Sequence, residues 1–194
     1  MLDLETMKLF FAMLTLVTNV VVVAYVLLVV AAVWSKQAGQ LKRRFHELID
    51  GYELLLAAVV AGTATLGSLY LSEIAHLPPC RLCWFQRLIM YPTAVALAIA
   101  AWKRFVQVRI PIMIEVIVGA GVAFWHYLLQ YNPSWQGTSC SLEVPCGQVW
   151  FRVFGFISIP YMALSAFLFV LVMMIALGSN QADVSRHEQE KVAA

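Results

Sequence analysis

The chain has 194 residues, of which 62% are apolar and 12% charged, and its mean hydropathy is +0.80. A soluble domain carries about 25% charged and 45 to 50% apolar residues, so an ordinary water-soluble enzyme is excluded. The formal charge is only +2 and no basic run is longer than Lys42-Arg43-Arg44, which excludes a nucleic-acid surface and directs attention to partners in or beside a membrane.

From Leu9 to Trp34 there is no Asp, Glu, Lys or Arg, a run longer than the roughly 20 residues of helix that cross a hydrocarbon core. It is preceded by Asp3 and Glu5, not by a basic patch, and is too long for the apolar region of a cleavable signal peptide. Further uncharged or nearly uncharged stretches run from Leu54 to Ser72, Trp84 to Trp102, Ile110 to Tyr131 and Val153 to Gly178. Five transmembrane helices are predicted. Gly62, Thr63, Ala64, Thr65, Gly67 and Ser68 stud the second of these, and small residues let helices approach closely in lipid.

Lys and Arg accumulate in cytoplasmic loops. Lys36 and Lys42 to Arg44 lie between the first and second spans, and Lys103, Arg104 and Arg109 between the third and fourth. Both loops are therefore expected inside. The loop from Glu73 to Cys83 has one arginine; that from Asn132 to Arg152 has Glu143 and a basic residue only at its far end. These are expected outside, together with the N-terminus, while the polar tail from Asn180 is expected inside and frayed.

All four cysteines fall in the outer loops: Cys80 and Cys83 as Cys-x-x-Cys, then Cys140 and Cys146. An even number of extracytoplasmic cysteines reads as disulfides. A Cys-x-x-Cys ring removes little chain entropy, and its common uses are redox exchange and metal binding. A Cys₄ zinc site would need four thiolates, usually from two short knuckles; here the second spacing is wider and holds Pro145. Inert loop staples are the other alternative, and redox exchange is the leading reading.

Pro78 and Pro79 precede the first pair and Trp84 opens a helix, so the pair is expected at a helix N-terminus, where partial positive charge favours a thiolate. Arg87 follows Cys83 by one helical turn and shares its face; its alternative role is to snorkel to the headgroups. The sequence has no phosphate loop, nucleophile elbow or His-Glu-x-x-His helix. Electrons leaving a dithiol at the membrane therefore need another acceptor, most simply a lipid-soluble quinone.

The run Pro79-Cys80-Arg81-Leu82-Cys83-Trp84-Phe85-Gln86-Arg87-Leu88-Ile89-Met90-Tyr91-Pro92 resembles the signature of the DsbB/BdbC family of disulfide bond formation proteins. So do Cys140-Ser141-Leu142-Glu143-Val144-Pro145-Cys146 and Phe154-Gly155-Phe156-Ile157-Ser158-Ile159-Pro160. The resemblance spans Leu54 to Gly178, and the short second pair resembles the BdbC branch. It implies an all-α membrane protein, a four-helix bundle that reoxidises a DsbA-like thioredoxin-fold oxidant and passes electrons to ubiquinone or menaquinone in the cytoplasmic membrane. The DsbA, DsbB and quinone chain keeps the bacterial periplasm oxidising.

By resemblance, Cys83 is the thiolate that meets the quinone and Cys80 its disulfide partner. Cys140 and Cys146 are the shuttle pair, one of which forms the mixed disulfide with the soluble oxidant. Arg87 matches an arginine that helps hold the quinone ring. His126, in Trp125-His126-Tyr127, resembles a position close to that site, and equally fits a packed, hydrogen-bonded helix histidine. No metal ligand set is expected.

The chain departs from the usual family pattern in its first helix. Residues 1–53 are read as that helix plus a basic cytoplasmic loop, 54–178 as the bundle and 179–194 as the tail. A vitamin K epoxide reductase-like enzyme is a rival, but there the loop pair precedes the Cys-x-x-Cys. A membrane scaffold with bracing disulfides is the rival from another class.

Overall fold

The computed structural model describes residues 4–140 and 144–193. Asp3, which entered the signal-peptide argument, and Glu143, which entered the orientation argument, lie outside the described residues, as do Ser141 and Leu142. Six α-helices account for the architecture of the described residues: α1 (Leu4–Trp34), α2 (Lys36–Ile49), α3 (Glu53–Leu69), α4 (Arg81–Lys103), α5 (Arg109–Leu129) and α6 (Ile159–Ala193). Five are long and apolar enough to cross a membrane: Leu4–Trp34, Glu53–Ile74, Arg81–Lys103, Val106–Leu129 and Ile159–Ser179. The protein is an all-α, multi-pass membrane protein.

Helices α3 to α6 form a ring in which each packs on the next and α6 returns to α3, with α4 and α6 across the diagonal. The core is apolar and tight, built around Leu97, Ile112, Val116, Phe167, Val170, Met173 and Met174. Gly119 makes room for Phe167, since a β-carbon there would lie 2.5 Å from the ring. Thr93 Oγ1 donates to Glu115 Oε2 at 3.0 Å, so the carboxylate inside α5 ties α5 to α4. Helix α1 lies outside the ring against α6, where Asn19 Nδ2 donates to the Tyr161 hydroxyl at 3.1 Å.

Three elements differ from the sequence reading. The basic loop after the first span is largely the helix α2, whose Leu41, Phe45 and Leu48 recur at helical spacing opposite Lys36 and Arg43. Its apolar face is that of a helix lying on a membrane surface. The last span begins at Ile159 and not Val153, because Val153 and Ile157 pair their backbones across a tight turn. Gly155 takes φ +80° in that turn, a conformation that glycine adopts freely. Finally, α6 runs on through the polar tail to Ala193, where fraying was expected.

Candidate functional site

Both cysteine pairs meet at one end of the ring. Pro78 and Pro79 cannot continue a helix backwards, and α4 starts just after them with Cys80 as its N-cap. The Cys80 sulfur accepts the Cys83 backbone N–H at 3.4 Å, satisfying one of the donors that a helix start leaves without a partner. The two sulfurs stand 3.0 Å apart. Cys140 and Cys146 are joined as a disulfide. Cys146 is completely buried and shares a cluster with Cys80 and Leu129, against which Leu82, Cys83, Cys140 and Val144 pack.

The loop that carries the second pair is fastened to the end of α5. Gln130 Nε2 donates to the Gln148 carbonyl at 3.4 Å, Ser158 Oγ donates to Gln130 Oε1 at 2.6 Å, and Arg152 Nη2 donates to the Gln130 carbonyl at 3.3 Å. Gly147 passes so close to α5 that a β-carbon would lie 3.0 Å from the Leu129 carbonyl oxygen.

His126 sits between the pairs and is 3% exposed. Its Nε2 is 3.1 Å from the Cys146 carbonyl oxygen and 3.5 Å from Cys80 Sγ, and its Nδ1 is 3.0 Å from Gln86 Nε2. A carbonyl only accepts, so Nε2 carries the proton; in the neutral ring Nδ1 is then an acceptor and Gln86 donates to it. The Nε2–H is thereby aimed at sulfur and carbonyl together. The Cys80 thiol is held far below its ordinary range, at about 4, first by the hydrogen bond from the Cys83 thiol and then by the hydrogen bond from His126, against the opposing effect of burial.

Arg87 does not reach outward. It is 9% exposed, donates from Nε to Ser68 Oγ and from Nη2 to the Ser68 carbonyl, both at 2.9 Å, and lies over the Trp84 ring. Tyr91 adds a hydroxyl bond to Ser68 Oγ at 3.3 Å. Ser68 and Gln86 are the site residues that sequence reasoning passed over. Ser68 was visible only as a small residue in a transmembrane stripe, and Gln86 only as part of the motif.

A cavity of about 190 Å³ opens beside this arrangement. Ser68, Cys83, Gln86, Arg87 and Tyr91 give it one polar side, and most of its remaining wall is apolar, from α3, α6 and α1. His126, Cys80, Cys140 and Cys146 are not among the residues that line it. The structure thus puts His126 at the junction of the cysteine pairs, while Arg87 and Cys83 face the cavity. A ring with carbonyl oxygens and a hydrocarbon tail matches this mixture of donors and apolar wall.

The sulfurs of Cys80 and Cys83 and a ring nitrogen of His126 lie within 4.8 Å of one another, ligand types that zinc accepts. The four-sulfur site weighed from the sequence is not formed, because Cys140 and Cys146 are bonded to each other.

Residues 52–177 match the family described as disulfide bond formation protein DsbB. The chain belongs to the DsbB family. Disulfide bond formation protein C of Bacillus subtilis is 40% identical over 126 residues, which are 64% of this chain and 91% of that protein. A probable disulfide formation protein of Oceanobacillus iheyensis is 40% identical over 130 residues, 66% of this chain and 90% of the relative. One from Coxiella burnetii is 35% identical over 133 residues, 66% and 88% of the two chains. No solved structure matches the chain significantly. The DsbB match covers α3 to α5 and the apolar part of α6, and leaves out α1 and α2.

Proposed function

We propose that this DsbB-family protein is a membrane thiol-disulfide oxidoreductase that reoxidises a thioredoxin-fold, DsbA-like oxidant and delivers the electrons to a membrane quinone. The observation that carries this reading is the meeting of two cysteine pairs around His126 with one sulfur, Cys83, on the wall of a cavity that Arg87 also lines. The relatives' names, as disulfide formation proteins, support the same role. The basic helix α2 borders Ser179 at the end of the bundle away from the cysteines, which supports a cytoplasmic α2 and extracytoplasmic sulfurs.

The division of labour follows from burial and neighbours. Cys140 is partly exposed and Cys146 fully buried, so a thiolate of the reduced partner attacks Cys140 and Cys146 leaves as thiolate. When the partner's second thiolate attacks its own sulfur in the mixed disulfide, Cys140 leaves as thiolate, the partner becomes a disulfide and the loop pair is left as a dithiol, whereas return attack by Cys146 on Cys140 releases the partner still reduced and re-forms the loop disulfide. That dithiol is reoxidised by the Cys80-Cys83 disulfide: a loop thiolate attacks Cys80, whose neighbour His126 also holds the Cys146 backbone, Cys83 is released toward the cavity, and the second loop thiolate then displaces Cys80 from the mixed disulfide. His126 Nε2–H stabilises negative charge on Cys80 while the exchange proceeds.

A quinone held by Arg87, with Ser68 fixing the guanidinium, supplies a sink for the two electrons and two protons released when the Cys80-Cys83 dithiol closes to a disulfide. Cys83 is the sulfur on the cavity side, and Arg87 is the cation beside it to offset negative charge. Apolar walls exclude water from the half-buried sulfur.

The test is purified full-length protein with a reduced thioredoxin-fold partner and a short-tailed quinone. Loss of two partner thiols for each quinol formed is the expected result. Partner oxidation without quinol, or no oxidation at all, overturns the reading.

A further inference from the structure

The cavity has a wall that the family-matched segment does not supply. Phe11, Thr15 and Thr18 of α1 line it together with α3, α4 and α6, whereas the DsbB match begins at residue 52. Helix α1 is fixed in that position. Ala12 is fully buried, Thr15 is 6% exposed, and Asn19 is bonded to Tyr161 of α6. The Phe11 ring rests on Gly67 so closely that a β-carbon there would lie 2.9 Å from it.

The small residues of α3 acquire a second purpose in this arrangement. In lipid, a stripe of small residues ordinarily brings two backbones together. Here Thr63, Ala64 and Gly67 line the cavity with α1, so part of the width they save becomes space for a ligand. The α1 threonines present a defined chemistry to that space. Thr15 Oγ1 donates to the Phe11 carbonyl at 2.7 Å and Thr18 Oγ1 to the Thr15 carbonyl at 2.9 Å, so each spends its proton on its own helix and adds only a weakly polar, compact surface beside Phe11.

We infer that α1 is a built-in part of the ligand site: Phe11 and Thr15 close the cavity on a side that α3 to α6 alone leave to lipid, and they set the affinity for a tailed quinone. This inference rests on the quinone reading above. It separates two roles for the additional helix, since a helix that merely braced the bundle would not change ligand affinity through residues on the cavity wall.

The test is equilibrium binding, read by quenching of tryptophan fluorescence when a short-tailed quinone is titrated into detergent-solubilised, full-length protein. Trp150 lines the cavity and Trp84 lies against Arg87, so bound ligand has nearby reporters. Phe11→Ala removes the aromatic wall and Thr15→Leu fills the space; each is expected to weaken binding by about tenfold or more, as loss of a well-packed contact does. Val17→Ala, on an exposed position of α1, is expected to bind as wild type. Single-turnover exchange with the reduced partner reports whether each variant is folded, and Thr15→Leu carries the test if Phe11→Ala is not. Wild-type affinity in the folded cavity variants overturns the role of α1 and leaves the quinone reading standing. Absence of binding to the wild type overturns both.

Discussion

The His126 ring nitrogen Nε2 touches both cysteine pairs, standing 3.5 Å from Cys80 Sγ and 3.1 Å from the Cys146 carbonyl oxygen. One donor thus stabilises a thiolate and fixes the loop that must approach it. The Cys80 thiol is held at about 4, so the thiolate is present throughout the neutral range and is lost only as pH falls through that value. An unperturbed thiol titrates near 8.5. The favourable thiolate interactions therefore stabilise the reduced fold fully above that ordinary value, and their contribution declines as pH falls toward 4. A Cys83→Ala, Cys140→Ser, Cys146→Ser background removes the Cys83 thiol bond, so His126 becomes the principal remaining side-chain support when Cys80 is alkylated. In that background His126→Ala is expected to move the alkylation midpoint upward. An unchanged pH profile would remove His126 from the thiolate's support.

Arg87 is expected to be irreplaceable by lysine. Its Nε and Nη2 grip the Ser68 hydroxyl and carbonyl together, a two-pronged contact that a single ammonium cannot reproduce. Loss of a charge-assisted hydrogen bond costs about 1.5 to 3 kcal/mol, so Arg87→Lys should weaken quinone binding on the order of tenfold to a hundredfold. Single-turnover exchange between partner and loop pair should survive. Binding and exchange measured side by side check this, and wild-type quinone affinity in a folded Arg87→Lys protein would return the residue to a purely structural role.

The spans and the cysteine grouping were legible because each depends on local chemistry: apolar runs set helix length, and Pro78-Pro79 before Cys80 sets a helix start. Helix α2 was legible too, since Leu41, Phe45 and Leu48 keep helical spacing, but its charge drew attention to orientation and away from periodicity. What the sequence concealed was partnership across helices. Ser68 is bound to Arg87 nineteen positions away, and nothing in a Gly-Ser step announces a guanidinium. Likewise, the side chain that closes the cavity, Phe11, lies in an apolar run whose composition alone chooses no face.

The shuttle pair should be asymmetric. Cys146 is fully buried beneath the loop, whereas Cys140 is partly exposed, so only the latter offers a sulfur to a protein-sized nucleophile. Cys146→Ser leaves Cys140 without its resolving neighbour and is expected to trap a mixed disulfide with the partner, seen as a non-reducing gel shift. If Cys140→Ser traps the partner and Cys146→Ser does not, the roles are reversed.

Orientation has a direct readout. With α2 on the cytoplasmic side and the cysteine end outside, a membrane-impermeant thiol reagent applied to intact, reduced cells should label the cysteines, while Lys42 stays protected from an impermeant amine reagent until the cells are opened. Protection of both cysteine pairs in intact cells, with labelling after lysis, would contradict the proposed sidedness.

The final prediction concerns the core that holds the site in place. A β-carbon at residue 119 would sit 2.5 Å from the Phe167 ring, and Phe167 is fully buried among α5 and α6 side chains, so the ring cannot simply swing into lipid. Gly119→Ala is therefore expected to push α5 from α6 and cost about 1 to 3 kcal/mol, the usual penalty for overpacking a filled core. Because His126 and the end of α5 carry the Cys146 loop, the same displacement should slow exchange between the pairs. Gly178→Ala provides the comparison: its β-carbon would meet the flexible end of Arg109, which can move aside with the loss of one hydrogen bond, to the Met174 carbonyl. Thermal unfolding in detergent should show a clearly lower midpoint for Gly119→Ala and a smaller change for Gly178→Ala; equal midpoints would mean that Phe167 repacks without strain.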